Sequence, residues 1–143
     1  MPFETPQDAE DAFYDALESG DAESMTQVWE ASADIACLLP MSPLIQGPEV
    51  LELWRSMFEH GAAFDIQVRH LGWIESGDMA LHLIEERMGA PEGLKPGTGA
   101  EAAQAVYGSN LFRRGSDGWR LVAHQNSPTP PPPGAMGEFP VQD

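Results

Sequence analysis

The stretch Gly118-Trp119-Arg120-Leu121-Val122-Ala123-His124-Gln125-Asn126-Ser127 most constrains what this chain can fold into. It reads as a short β-segment entered from a tight turn, Arg114 to Gly118, and left through a proline run. Directly before the turn lies a long strand-like segment, Ala102 to Arg113. Two such segments joined by Ser-Asp-Gly predict a hairpin. Its faces are both mixed: Ala105, Tyr107, Ser109 and Leu111 alternate with Val106, Gly108, Asn110 and Phe112. An antiparallel sheet with one wet face should alternate cleanly. The pattern therefore points to a sheet covered on both sides, by helices on one and by a second copy of the sheet on the other. A single chain with some exposed apolar residues is the plainer alternative.

Upstream, Thr5-Pro6-Gln7-Asp8 opens a helix: Thr5 caps, Pro6 suits the first position and Asp8 the positive end. Ala9, Ala12, Phe13, Ala16 and Leu17 make its apolar stripe, with Glu10, Asp11, Asp15 and Glu18 on the opposite side. Ser19-Gly20 ends it, and Asp21 caps a second helix through Trp29. Ile35 to Leu39 is a short buried strand, and Met41 to Gln46 an extended segment. A third helix begins at Gly47-Pro48-Glu49, with Pro48 at its first position, and ends at His60-Gly61. Its stripe is Val50, Leu51, Trp54, Met57 and Phe58. Phe64 to Ile74 alternates as a strand, and the parity of Phe64, Ile66 and Val68 places His70 on the apolar face. Glu75 to Asp78 turns the chain into a further strand, Met79 to Met88, mixed on both faces. Residues 89–101 are rich in turn formers and read as a mobile loop, and the tail from Pro128 holds four consecutive prolines. The expected division is a domain over residues 1–127 and a proline-rich tail over 128–143.

At 143 residues the chain is one domain long, enough to bury a core without disulfides. Cys37, its one cysteine, sits in an apolar run and reads as a small hydrophobe. The net charge of −16 argues against nucleic-acid or membrane-surface partners. The start of the chain lacks a basic region followed by an apolar stretch, so no secretory signal is expected, and a cytoplasmic location follows.

The order helix, helix, short strand, helix, then long hairpins closing on Gly118-Trp119-Arg120-Leu121-Val122 and Ser127-Pro128 resembles the SnoaL-like branch of the NTF2-like superfamily. Within it, the last strand is most similar to the association domain of calcium/calmodulin-dependent protein kinase II. Relatives often carry a His-x-His pair after the Trp-x-x-Val part; this chain has Ala123-His124-Gln125. The resemblance implies an α+β cone, three helices of the N-terminal half packed on a curved, mainly antiparallel sheet, with a pocket inside. Members include ketosteroid isomerases, dehydratases, polyketide cyclases, epoxide hydrolases and non-catalytic association domains, so fold leaves function open.

Proton transfer on such a scaffold needs a histidine or carboxylate inside an apolar pocket. His70 meets the parity requirement, and His124 and Glu85 are its candidate inward partners. Tyr14 or Tyr107 could donate to a developing oxyanion. Tyr14, Trp29, Trp54, Phe58, Tyr107, Arg113 and Gln125 are the expected pocket residues. The alternative reading has His70 bonded within the core, Glu85 paired with Arg113 or Arg87, and the tyrosines simply packed. Metal binding and cofactors are not expected: His60, His70, His82 and His124 lack zinc-like spacing, and no phosphate-binding loop or serine elbow is present. The function read from the sequence is binding of a small, partly apolar ligand, with acid–base isomerisation, cyclisation or dehydration as its sharper form. A homodimer is expected, and a non-catalytic association domain is the competing class.

Overall fold

The computed structural model describes residues 3–40, 42–88 and 105–127; the turn-rich segment 89–101 and the tail from Pro128 lie outside them. Three helices and six strands follow in chain order: α1 (Pro6–Ser19), α2 (Ala22–Val28), β1 (Ala36–Leu38), β2 (Ile45–Gln46), α3 (Glu49–Glu59), β3 (Ile66–Ser76), β4 (Met79–Met88), β5 (Ala105–Gly115) and β6 (Gly118–Asn126).

Local chemistry sets the helix ends. Thr5 is extended and its Oγ1 accepts the Asp8 N–H at 3.0 Å, while Gly20 takes a left-handed φ of 68° and bonds back to Ala16. A side chain at Gly20 would also press on the Ala62 carbonyl at 3.1 Å, so this corner requires glycine twice over. The Asp21 carboxylate then caps α2 through the Glu23 and Ser24 N–H groups. Pro48 sits just before α3 as its cap rather than as its first residue.

The strands form one sheet in the order β2-β1-β6-β5-β4-β3, antiparallel throughout except for the β1–β6 pair. Two irregularities bend it. Leu71 is an extra residue opposite β4, and Val122 an extra residue opposite β5. The first bulge overturns the strict alternation expected from Phe64 to Ile74. His70 pairs with Ile84 and Trp73 pairs with His82, so residues of opposite parity share the inner face.

α1 lies in the concave side of this sheet. Phe13, fully buried, meets Trp54, Trp29 and Tyr14 edge-on with centroids 5.8, 6.3 and 4.9 Å away, and it leans on His124 at 5.0 Å. Ile84, Phe112 and Leu121 close the sheet side of the interior. On the far face Ile74, Leu83 and Tyr107 remain 59, 40 and 53 % exposed. The architecture is the α+β cone, with its wide apolar wall turned inward and a partly apolar face turned out.

Candidate functional site

The cone interior holds an unusual load of polar groups for a domain of this size: Glu10, His82, Glu86, Asn110, His124 and Asn126 are all buried. Burying such groups is costly unless each finds partners. Here every one does, because three strands and one helix deliver them to a common line. On β4, His82 and Glu86 alternate with Ile84 on the inner face; on β5 Asn110 sits opposite His82. On β6, His124 sits opposite Asn110 and Asn126 opposite Gly108. α1 adds Glu10 and Tyr14, one turn apart and therefore on one side of the helix.

The bonds run in sequence across the cone. His70 Nδ1 lies 3.2 Å from His82 Nε2, and His82 Nδ1 lies 2.6 Å from Glu10 Oε2. The Asn110 amide donates to that same Glu10 oxygen and to the Tyr14 hydroxyl, each at 3.1 Å. Tyr14 donates to Glu86 Oε2 at 2.6 Å, and Asn126 donates to Glu86 Oε1 at 2.8 Å. The loop closes on His124, whose Nδ1 meets Asn110 Oδ1 at 2.5 Å and whose Nε2 meets Asn126 Oδ1 at 2.9 Å.

Hydrogen positions follow from these partners. Both asparagines must turn their NH₂ groups to carboxylates, so both turn oxygens to His124. Two acceptor oxygens require an N–H on each ring nitrogen, so with both carboxylates ionised His124 is an imidazolium between two amides. Glu86 Oε2 lies 3.9 Å from its Nε2. Burial, reinforced by the Glu86 charge, drives the Tyr14 hydroxyl far above the ordinary tyrosine range, which holds it as a donor. At the other end, the His82 Nδ1–H donates to Glu10, leaving one hydrogen to be shared between His82 Nε2 and His70 Nδ1. Trp73 lies flat on His82, with centroids 3.9 Å apart and planes 5° off parallel, and fixes that ring. His70, by contrast, is 64 % exposed in its side chain.

Close packing makes room for this arrangement at Gly108. A methyl there would come within 2.9 Å of Asn126 Nδ2 and 3.3 Å of Ile84, so glycine lets Asn126 reach across to Glu86.

The structure brings together His70, His124 and Tyr14 from the expected set, though Tyr14 is committed to Glu86 rather than free to meet an oxyanion. Glu85 is not among them. It lies on the opposite face of β4, paired with Arg87 at 3.0 Å and Arg69 at 3.7 Å, because inward parity on this strand belongs to His82 and Glu86. Tyr107, opposite Glu85, and Gln125 are exposed on the outer face. Arg113 also turns away from the cone and clasps Glu30 and Asp34, and its guanidinium holds the Glu30 carboxyl below the usual carboxylate range. Trp29, Trp54 and Phe58 are buried core, and neither indole N–H has an acceptor among the described residues.

Glu10 was expected on the solvated side of α1 and is buried there instead, drawn in by His82 and Asn110. Nor does sequence spacing capture the histidines: His70 and His82 are remote in the chain but neighbours across the β3–β4 hairpin. Burial pushes the Cys37 thiol up to about 12, as suits an inert core residue. A separate open groove of about 500 Å³, lined by Trp29, Glu30, Asp117 and Arg120 among others, shares no residue with this network.

The family model for the SnoaL-like domain matches residues 7–131. No curated protein matches the chain. Among solved structures, it is similar to a protein from Thiobacillus denitrificans provisionally named a calcium/calmodulin-dependent protein kinase type II association domain. That pair is 33% identical over 90% of this chain and 98% of the other, with a TM-score of 0.76. A provisionally named dehydratase of the NTF2-like family from Streptomyces avermitilis is 28% identical over 86% of this chain and 93% of its own, with a TM-score of 0.69. A ketosteroid isomerase-like protein from Erwinia carotovora atroseptica shares the fold at 18% identity and a TM-score of 0.61, over 87% of this chain and 94% of that one. Fold, strand order and family model agree, and the chain belongs to the SnoaL-like domain family, within the NTF2-like fold.

Proposed function

We propose that this protein binds a small, partly apolar molecule in the cone and moves a proton on it through His70. The observation that carries this is the chain Glu10···His82···His70, which begins at a buried carboxylate and ends at an exposed imidazole. With its Nδ1–H donated to His82, His70 presents Nε2 as a free base. When Nε2 takes a proton from a carbon beside a carbonyl, the Nδ1 proton passes to His82 Nε2. The resulting His82 imidazolium is held by Glu10, and the reverse movement returns a proton to another atom of the substrate. Return to a carbon would give isomerisation, and return to a departing hydroxyl would give dehydration. The Streptomyces avermitilis neighbour named as a dehydratase supports that class.

The test needs no identified substrate. Small ketones and β-hydroxyketones incubated in D₂O would be followed by NMR for exchange of the α-proton. The expected result is exchange catalysed by the wild type and lowered about 100-fold or more in His70→Ala. Equal rates in the two proteins would remove His70 from the chemistry.

A homodimer through the outer face is the companion proposal, supported by the exposure of Ile74, Leu83 and Tyr107. Light scattering should give twice the chain mass, and Leu83→Lys should halve it; a monomeric wild type would refute the proposal. The same face would also serve a non-catalytic association domain, which the exchange assay separates from an enzyme. No helix among the described residues is long and apolar enough to cross a membrane. The charge of −16 supports a protein without nucleic-acid partners.

A further inference from the structure

We infer that His70 is a covalent acceptor of acyl groups, through which this protein hydrolyses a reactive, uncharged ester by way of an acyl-histidine. A nucleophile within hydrogen-bond reach of a base, with that base oriented by a third group, is the arrangement that activates side chains toward a carbonyl carbon. Here His70, His82 and Glu10 fill the three places. His70 Nδ1 is 3.2 Å from His82 Nε2, and His82 Nδ1 is 2.6 Å from Glu10 Oε2. His82 is wholly buried and Trp73 lies flat on it at 3.9 Å, which holds the base in line. The His70 side chain is 64 % exposed, and its Nε2 meets no partner among the described residues.

His60 supplies the contrast. It is exposed as well, and its Nδ1–H donates to the Ser56 carbonyl at 2.7 Å, which leaves its Nε2 equally bare. A backbone carbonyl takes up no proton near neutral pH, whereas His82 Nε2 does, with Glu10 facing the charge that results. The two rings present the same free nitrogen and differ in what stands behind it. In the first step His70 Nε2 bonds to the acyl carbon, and the bond from that carbon to the leaving oxygen breaks with its electron pair. The Nδ1 hydrogen passes to His82 Nε2, so acylated His70 is neutral and His82 is an imidazolium against Glu10. Water then adds its oxygen to the acyl carbon, the carbon–Nε2 bond breaks with its pair to the ring, and His82 returns the hydrogen to Nδ1. One hydrogen of the water stays with the carboxylic acid and the other neutralises the departed oxygen as an alcohol. The chain's charge of −16 favours an uncharged ester over an anionic one. The lone pair is the one that proton transfer would use, yet attack on a carbonyl carbon does not require that proton transfer to occur.

The test is incubation of the full chain with p-nitrophenyl trimethylacetate at neutral pH; the bulky acyl group slows the second step and lets acylated protein accumulate. Mass spectrometry should find the trimethylacetyl group on His70, formed there about 10-fold or more faster than on His60 in the same molecule. His70→Ala should release nitrophenolate about 10-fold or more slowly than the wild type, and His60→Ala at the wild-type rate. In concentrated urea, where no fold holds His82 behind His70, the two histidines should label alike. An unlabelled His70, a His60 labelled as fast in the folded chain, or a preference for His70 that survives urea would overturn the inference. Ketones in D₂O carry no acyl leaving group, so α-proton exchange can fail while acyl transfer stands, and the reverse.

Discussion

The two ends of the interior network each hold a glutamate and a histidine and behave as opposites. At the closed end, Tyr14, Glu86, Asn126 and His124 satisfy one another completely, with His124 gripped at both nitrogens. At the open end, His70 offers one nitrogen inward to His82 and leaves the other toward solvent. Asn110 joins them, giving its amide hydrogens to the open end and Tyr14, and its oxygen to His124. His124 meets an amide oxygen at each nitrogen, whereas His70 meets a partner at one nitrogen and can exchange a proton through the other. Burial and bonding run together: His124 is buried with both ring nitrogens committed, and His70 is exposed with one of them free toward solvent.

The difference predicts unequal costs of mutation. The largest effect is expected from Glu86→Ala, which leaves Tyr14 and Asn126 without their acceptor and takes the nearest carboxylate from His124. Urea unfolding should show a loss of about 3–5 kcal/mol. Next is Gly108→Ala, which drives Asn126 off Glu86; about 1–3 kcal/mol is expected from the overpacking. Its crystal structure should show a displaced Asn126 and an unmoved Glu10. Tyr14→Phe removes one donor to Glu86 and one acceptor for Asn110, at about 1–3 kcal/mol. The smallest change in stability belongs to the open end: His70→Ala should stay within about 0.5 kcal/mol while abolishing proton exchange. A His70→Ala variant as unstable as Glu86→Ala would erase the distinction between the ends.

The interior also predicts an alkaline limit. Burial lifts the Cys37 thiol from 9.0 to about 12 in the folded chain. Between those values the unfolded chain has lost a proton that the folded chain retains, so stability falls as pH rises through that interval. Cys37→Ala should flatten the decline between pH 9 and 11. Thiol reagents should label Cys37 in the folded protein no faster than the protein unfolds.

Much of this was legible in the residues. Thr5-Pro6 and Asp21 announced their helices through capping chemistry, and the Ser-Asp-Gly turn announced the final hairpin. His70 is placed on the inner face by simple alternation and His124 is a candidate partner without an assigned face; both reach the network. Alternation failed where it depended on an uninterrupted strand or on relations between strands. The Leu71 bulge moved Trp73 onto the inner face, and the isolated Gly72 beside it is the one residue type that signals such a break in alternation. On β4 both faces mix charge with apolar groups, so Glu85 and Glu86 were equivalent until pairing with Tyr107 and Val106 fixed their sides. Glu10 looked solvated beside Asp11, yet it stands one turn before Tyr14, a phase shared with the buried Phe13. What could have pointed to it was the excess of inward polar residues on β4, β5 and β6. His82, Asn110, His124 and Asn126 need counter-charges that the strands alone supply only at Glu86.

The contrast between fixed and exchangeable histidine is most directly measured by long-range ¹⁵N NMR of the imidazole rings at neutral pH, read together with exchange of their N–H protons. The account predicts two protonated nitrogens on His124 with slowly exchanging hydrogens, and on His70 one nitrogen in rapid exchange with water. A His124 ring with a bare nitrogen, exchanging as fast as His70, would contradict it.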